Sequence, residues 1–212
     1  MKLLGKELSL AAHPTSLVFA FLGCLVMVPA YPGTVVFMFG CLAPYLTLLY
    51  TRETNDAWFT ALLPVAKREI VKGKFLLTLS VQLFQLLFSI PWAALRGPLS
   101  IGNNPVGMDA TAAWYGFGLT VYAVFDFLFL PAYYKNGYRA GRAFVLAALP
   151  PLLMMAAVEG AAHLPSCSWL DRPAAQDLPG HVLILLLGMG CYAALLSLAY
   201  RISVRRFEKV DL

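Results

Sequence analysis

Charge is what this sequence has least of. Lys, Arg, Asp and Glu make up 13% of its 212 residues, where ordinary soluble domains carry about 25%. With 60% hydrophobic residues beside so little charge, the chain is expected to be an integral membrane protein throughout. No polar stretch approaches the roughly 100 residues of an ordinary soluble domain, which excludes a soluble catalytic domain. Histidine and cysteine are also scarce, at three and four residues, and no Cys or His spacing resembles a metal site. Cys24, Cys41 and Cys191 fall in apolar runs, where small hydrophobic packing is the expected role. Cys167 lies in a polar stretch without an obvious partner. A phosphate-binding loop, Gly-x-x-x-x-Gly-Lys-Ser/Thr, is missing: Gly73-Lys74 comes nearest, but Arg68 stands at the first Gly position and Phe75 at the last. The N-terminus has too short an apolar part, and no small-residue cleavage site, for a cleavable signal.

What the sequence has is long apolar runs. A spanning helix needs about 20 residues, and six runs qualify, at about 15–31, 34–51, 69–95, 110–134, 143–163 and 180–202. The first ends at Pro32-Gly33, and the fifth is expected to bend or break at Pro150-Pro151. Residues 1–12 precede them as an amphipathic helix, with Lys2, Lys6, Ser9 and His13 on one stripe and Leu4, Leu8 and Ala11 on another. Such a helix lies in the membrane interface rather than across it. The fold class is therefore all-α, one transmembrane domain over residues 1–212 that ends in a basic tail, 203–212.

The few cations set the orientation. Lys2, Lys6, Arg52, Lys67, Arg68, Lys72, Lys74, Lys135, Arg139, Arg142, Arg201, Arg205, Arg206 and Lys209 fall on one side of a six-span layout, and only Arg96 and Arg172 on the other. The positive-inside rule then places both termini in the cytoplasm. The same topology explains the net charge of +5, so nucleic acid is not an expected partner. No internal repeat is present, and the proline pair has no counterpart in the first half, as an inverted-repeat transporter would require.

The connection at residues 52–66 is the longest polar interruption of the N-terminal half. Asn55 or Asp56 can cap a short helix there, and Pro64 limits it. Trp58 and Leu62 are four apart, as are Phe59 and Leu63, so that helix carries an apolar patch. The patch suits docking onto a partner and equally suits resting on lipid headgroups.

Within the spans, Thr78, Gln82, Gln85 and Ser89 share one helical face. They suit the lining of a translocation cavity or hydrogen bonding between helices. Asp126 is the only acid deep in a span, and must face protein or water, because an acid in hydrocarbon costs about 2.5–3.5 kcal/mol on insertion scales. It is either a polar point on a transport path or a buried acid bonded to a neighbouring span. Gly190, Ala194 and Ser197 form a small-residue face suited to close helix packing. Glu159 and His163, four apart near the outer end of span five, are expected to have no catalytic role.

The run Glu53-Thr54-Asn55-Asp56-Ala57-Trp58, then Leu62-Leu63-Pro64-Val65-Ala66-Lys67-Arg68-Glu69-Ile70-Val71-Lys72-Gly73-Lys74, resembles the same region of small bacterial ABC type-2 permeases. The six spans and the tail Arg205-Arg206-Phe207-Glu208-Lys209 resemble that family too. The resemblance implies a permease in the bacterial cytoplasmic membrane that works as a dimer, with itself or a paralogue, on two ABC ATPase subunits. ATP and Mg would be bound by those partners, with no cofactor in this chain. Residues 56–63 would be the coupling helix, with Asp56, Trp58, Phe59, Leu62 and Leu63 docking on the ATPase. The implied activity is export of a hydrophobic or amphipathic substrate such as a peptide or antibiotic. A non-ABC channel or assembly subunit is the alternative. An intramembrane enzyme is disfavoured, because Asp126 stands without a second catalytic group.

Overall fold

The computed structural model describes residues 14–54, 66–102, 104–135, 140–172 and 176–209. All regular structure among them is helical. The amphipathic helix expected at residues 1–12 and most of the connection at 52–66 lie outside the described residues. We number the helices α1 (Pro14–Phe21), α2 (Val36–Glu53), α3 (Lys67–Leu95), α4 (Ala112–Lys135), α5 (Ala140–Ala162) and α6 (Leu178–Glu208). Short 3-10 helices cover Leu22–Met27, Gly33–Val35 and Ser168–Asp171.

Five of these segments are long and apolar enough to cross a membrane: Gly33–Thr51, α3, α4, α5 and α6. The first expected span is shorter. It consists of an 8-residue α-helix and a 6-residue 3-10 helix, together about 24 Å at 1.5 and 2.0 Å per residue. The tighter winding coincides with a close approach. A Cβ on Gly23 would meet the Gln85 carbonyl oxygen at 2.5 Å, so the backbone here lies directly on α3.

One expectation is settled in part: α5 does not break at Pro150-Pro151 but runs as one helix from Ala140 to Ala162. Two successive prolines leave two carbonyls of the preceding turn without intrahelical donors, yet the helix persists on both sides. Residues 203–208, expected as part of a tail, are the last turns of α6. They are held by packing: Phe207 lies 5.4 Å from the Tyr134 ring, and Arg206 Nη1 donates to the Pro131 carbonyl at 2.6 Å. A cation there also suits the negative end of α4.

Helix α4 is the centre of the bundle. Trp114, Tyr122, Phe125, Phe129, Leu130 and Tyr133 are all buried on it. Aromatic contacts spread outward from them, Phe37 to Trp114 at 4.4 Å and Phe125 to Phe129 at 5.1 Å, and Phe144 of α5 packs on Tyr45 of α2 at 4.3 Å. By contrast, α5 and α6 expose Leu146, Leu149, Leu153, Leu183, Leu186 and Leu187. In water such faces would drive aggregation; in lipid they are the solvated surface.

The α4–α6 contact depends on two glycines. A Cβ on Gly116 would meet the Ile184 carbonyl oxygen at 2.5 Å, and one on Gly188 would overlap the Gly116 carbonyl. The packing face of α6 is thus Gly188, Tyr192 and Ala199, all buried. The expected Gly190–Ala194–Ser197 face is not part of this contact: Ala194 and Ser197 are exposed, and a Cβ on Gly190 would meet nothing within 4 Å. Overpacking a tight contact costs about 1–3 kcal/mol. Gly188→Val should therefore lower the melting temperature and monodispersity in detergent, while Gly190→Ala leaves both near wild type. Equal behaviour of the two variants would contradict this packing.

Candidate functional site

The polar face of α3 does meet Asp126, and the meeting is buried. Gln82, Gln85, Ser89 and Asp126 are 0% exposed and Thr78 is 4% exposed. Gln82 Nε2 donates to Asp126 Oδ1 at 3.1 Å and to the Gly40 carbonyl at 3.4 Å. Gln82 Oε1 accepts from the Tyr192 hydroxyl at 2.7 Å. One amide thereby joins α2, α3, α4 and α6. Gln85 does the same one turn further on: Nε2 donates to the Phe19 and Val36 carbonyls at 2.9 and 3.2 Å, and Oε1 accepts from the Tyr122 hydroxyl at 2.5 Å. The carbonyl partners fix which amide atom is nitrogen. Ser89 donates to the Leu86 carbonyl at 2.7 Å and lies 3.0 Å from the Tyr115 hydroxyl. Thr78, with Thr47 and Lys74, borders a pocket of about 10 Å³, the room of one water.

Tyr115, Tyr122 and Tyr192 are members of this network that sequence reasoning missed. Tyrosines in apolar runs are ordinary, and only the helix packing shows whose hydroxyl each one points at. Asp126 sits among Gln82, Cys41, Tyr122 and Tyr192. Its Oδ2 has no hydrogen-bond partner. The four cysteines are free thiols.

A second polar cluster caps one end of the bundle. Arg96 pairs with Asp109 and donates to the Gly102 carbonyl at 2.6 Å. The Asp109 N–H donates to Asp171 Oδ1 at 2.5 Å, and Asn104 Nδ2 to the Tyr31 carbonyl at 2.5 Å. Glu159 accepts from the Thr34 N–H at 3.0 Å, the Thr34 hydroxyl at 2.7 Å and the Met108 N–H at 2.7 Å. His163 faces the Glu159 backbone carbonyl, 2.7 Å from Nδ1. The two side chains thus do not converge, and no group of three potential metal ligands occurs among the described residues. Glu159 is a tie between α5 and two loops. The opposite end gathers cations: the Tyr200 hydroxyl reaches the Arg68 carbonyl at 3.5 Å, and Arg206 reaches the end of α4. The docking candidates Asp56, Trp58, Phe59, Leu62 and Leu63 lie outside the described residues.

A helical bundle with a hydrogen-bonded polar centre and unpartnered apolar outer faces defines a multi-pass membrane protein. Residues 2–208 match the family described as ABC-2 family transporter protein, and the chain belongs to that family. Members are membrane transport subunits that generally work with an ATPase subunit. No curated protein and no solved structure matches the chain.

Removing buried partners tests the network. Gln85→Leu orphans the Tyr122 hydroxyl, at about 1–3 kcal/mol for a buried group left unsatisfied, and removes the bonds that tie the Phe19 and Val36 carbonyls to α3. Asp126→Leu leaves Gln82 Nε2 with only its 3.4 Å bond. Asp126→Asn keeps an acceptor for Gln82 and puts a donor where Oδ2 has no partner. Thermal unfolding in detergent should rank Gln85→Leu lowest, Asp126→Leu next and Asp126→Asn close to wild type. Unchanged melting of both leucine variants would contradict the network.

At the capping end, burial raises the Asp171 carboxyl above its ordinary pKa. The Asp109 N–H bond lowers it, the Asp109 and Glu159 carboxylates raise it, and His163 lowers it. A carboxyl with a raised folded-state pKa binds more protons folded than unfolded, so stability falls as pH rises from 3.8 through the folded value. Asp171→Asn keeps the acceptor and lacks this penalty. Its melting temperature should exceed that of wild type at pH 7, with the difference shrinking toward pH 4. A pH-independent difference would remove Asp171 from the pH response.

Proposed function

We propose that this chain is the membrane subunit of an ATP-driven exporter in the bacterial cytoplasmic membrane. It moves a hydrophobic or amphipathic substrate, such as a peptide or antibiotic. It pairs with a second copy or a paralogue on two copies of an ABC ATPase, which bind the ATP and Mg. The observation that carries this reading is the family match over residues 2–208. The small number of charges suits an apolar cargo.

The topology has six crossings with both termini cytoplasmic. Five long helices and the Pro14–Met27 segment supply an even number, and the 14-to-2 division of cations supports the orientation. The first crossing, at about 24 Å, is short of the roughly 30 Å hydrocarbon core, which local thinning accommodates. Thr78, Gln82, Gln85, Ser89 and Asp126 act as a polar lock that holds the subunit together as it moves. Support comes from the partners found within the chain for Gln82, Gln85 and Ser89.

Coupling runs through residues 56–63. Closure of the ATPase pair displaces this segment, and α2 and α3 on either side carry the displacement to the lock. Anchors such as Trp58 and Leu62 commonly contribute about 2 kcal/mol or more each to an interface, a factor of about 30 in affinity. Trp58→Ala with Leu62→Ala should therefore abolish co-purification of the ATPase and transport-linked ATP hydrolysis. Expression and monodispersity should stay at wild-type levels, since the spans are untouched. A well-folded double variant that still binds and stimulates the ATPase would refute the assignment.

A further inference from the structure

Between α3 and α6, at the cation-bearing end, lies an open groove of about 350 Å³. Its walls are Phe75, Leu76 and Leu79 on one side and Leu196, Ser197 and Tyr200 on the other, with Arg68 and Lys72 at its mouth. Phe75 and Tyr200 meet edge to face at 5.4 Å. The Ser197 hydroxyl is turned back onto its own helix, donating to the Ala193 carbonyl at 2.6 Å. The groove therefore offers apolar walls along its length and cations only at its mouth.

The two cations are incompletely neutralised. Glu69 lies 4.0 Å from Arg68 Nε and 3.5 Å from Lys72 Nζ, so one carboxylate serves two cations. Both side chains remain largely open, at 68% and 49% exposed.

We propose that this groove holds one anionic phospholipid. Its phosphate sits between Arg68 and Lys72, and an acyl chain lies along Phe75, Leu76, Leu79 and Leu196. Charge selects this occupant. A second copy of the chain, brought up by a two-fold axis along the membrane normal, would present its own cation-bearing end at the same depth, like charge against like. An anionic headgroup supplies the missing negative charge at the level where juxtamembrane Lys and Arg attract such lipids. An apolar cleft with a few polar groups at one edge matches the form of a small-molecule site, and an acyl chain fills it without exposing polar atoms to hydrocarbon. The inference needs only that the chain is membrane-embedded, so it stands or falls separately from export and from ATPase docking.

The test is native mass spectrometry of the full chain in detergent, titrated with phosphatidylglycerol or with phosphatidylcholine of the same acyl chains. One phosphatidylglycerol per chain should be retained at least tenfold more tightly than phosphatidylcholine. Arg68→Gln with Lys72→Gln should equalise the two lipids, while Arg205→Gln with Lys209→Gln, away from the groove, should keep the preference. Leu79→Trp, which fills the groove, should lower retention of both lipids and leave the melting temperature unchanged. Equal affinity of wild type for the two lipids would overturn the proposal, as would a preference that survives loss of Arg68 and Lys72. A change of oligomeric mass in Leu79→Trp with lipid retention intact would assign the groove to a second copy instead.

Discussion

Hydrocarbon supplies no hydrogen-bond partner, and the architecture of this chain follows from that constraint. Each buried amide, hydroxyl or carboxyl must find its partner inside the protein or cost several kcal/mol. Gln82 and Gln85 meet the requirement by reaching across helices. Two side chains on successive turns of α3 bind backbone or side-chain groups of α1, α2, α4 and α6. The polar centre therefore specifies which helices are neighbours, whereas apolar contacts alone would allow many arrangements. Asp126 Oδ2 is the atom of this centre that stays unpartnered, which makes Asp126 the point where a small rearrangement of the surrounding helices has most to gain.

Around this centre the packing is graded. α4 is buried on nearly all sides and carries the largest aromatic side chains of the core. Its glycines let neighbours approach where the aromatics leave room: Gly116 meets α6 backbone, and Gly118 faces the Phe37 ring. Large rings and missing side chains alternate along one helix, and close backbone contact with ring packing replaces the hydrophobic effect that is absent between helices in lipid. α5 and α6 each pack on α4 and carry much of the exposed apolar surface.

The two ends do different work. One is tied by the Arg96–Asp109 pair, which closes the loop after α3, and by the Asp171 and Asn104 bonds and the three-donor grip of Glu159, which join segments distant in sequence. The other carries exposed cations and the open groove between α3 and α6.

Much of the framework was legible in the sequence. Apolar runs of membrane length, their cationic boundaries, and the exclusion of Asp126 and of the α3 polar face from lipid all follow from the cost of polar groups in hydrocarbon, a property of composition and spacing. The extent of α6 was not legible: residues 203–208 look like a basic tail until Phe207 finds Tyr134 and Arg206 finds the end of α4. Nor was its packing face. Gly188 and Gly190 are equally small, and only the rotation of α6 against α4 puts one in contact and leaves the other open. The partners of the polar centre were equally hidden, since Gln82 meets Asp126 and Tyr192 across 44 and 110 residues of chain. The sequence alone determined that this chain crosses a membrane and which of its groups hydrocarbon would not tolerate. Which groups satisfy one another was decided by the tertiary structure, because a hydrogen bond needs its atoms within about 3 Å, and only helix rotation and contact supply that.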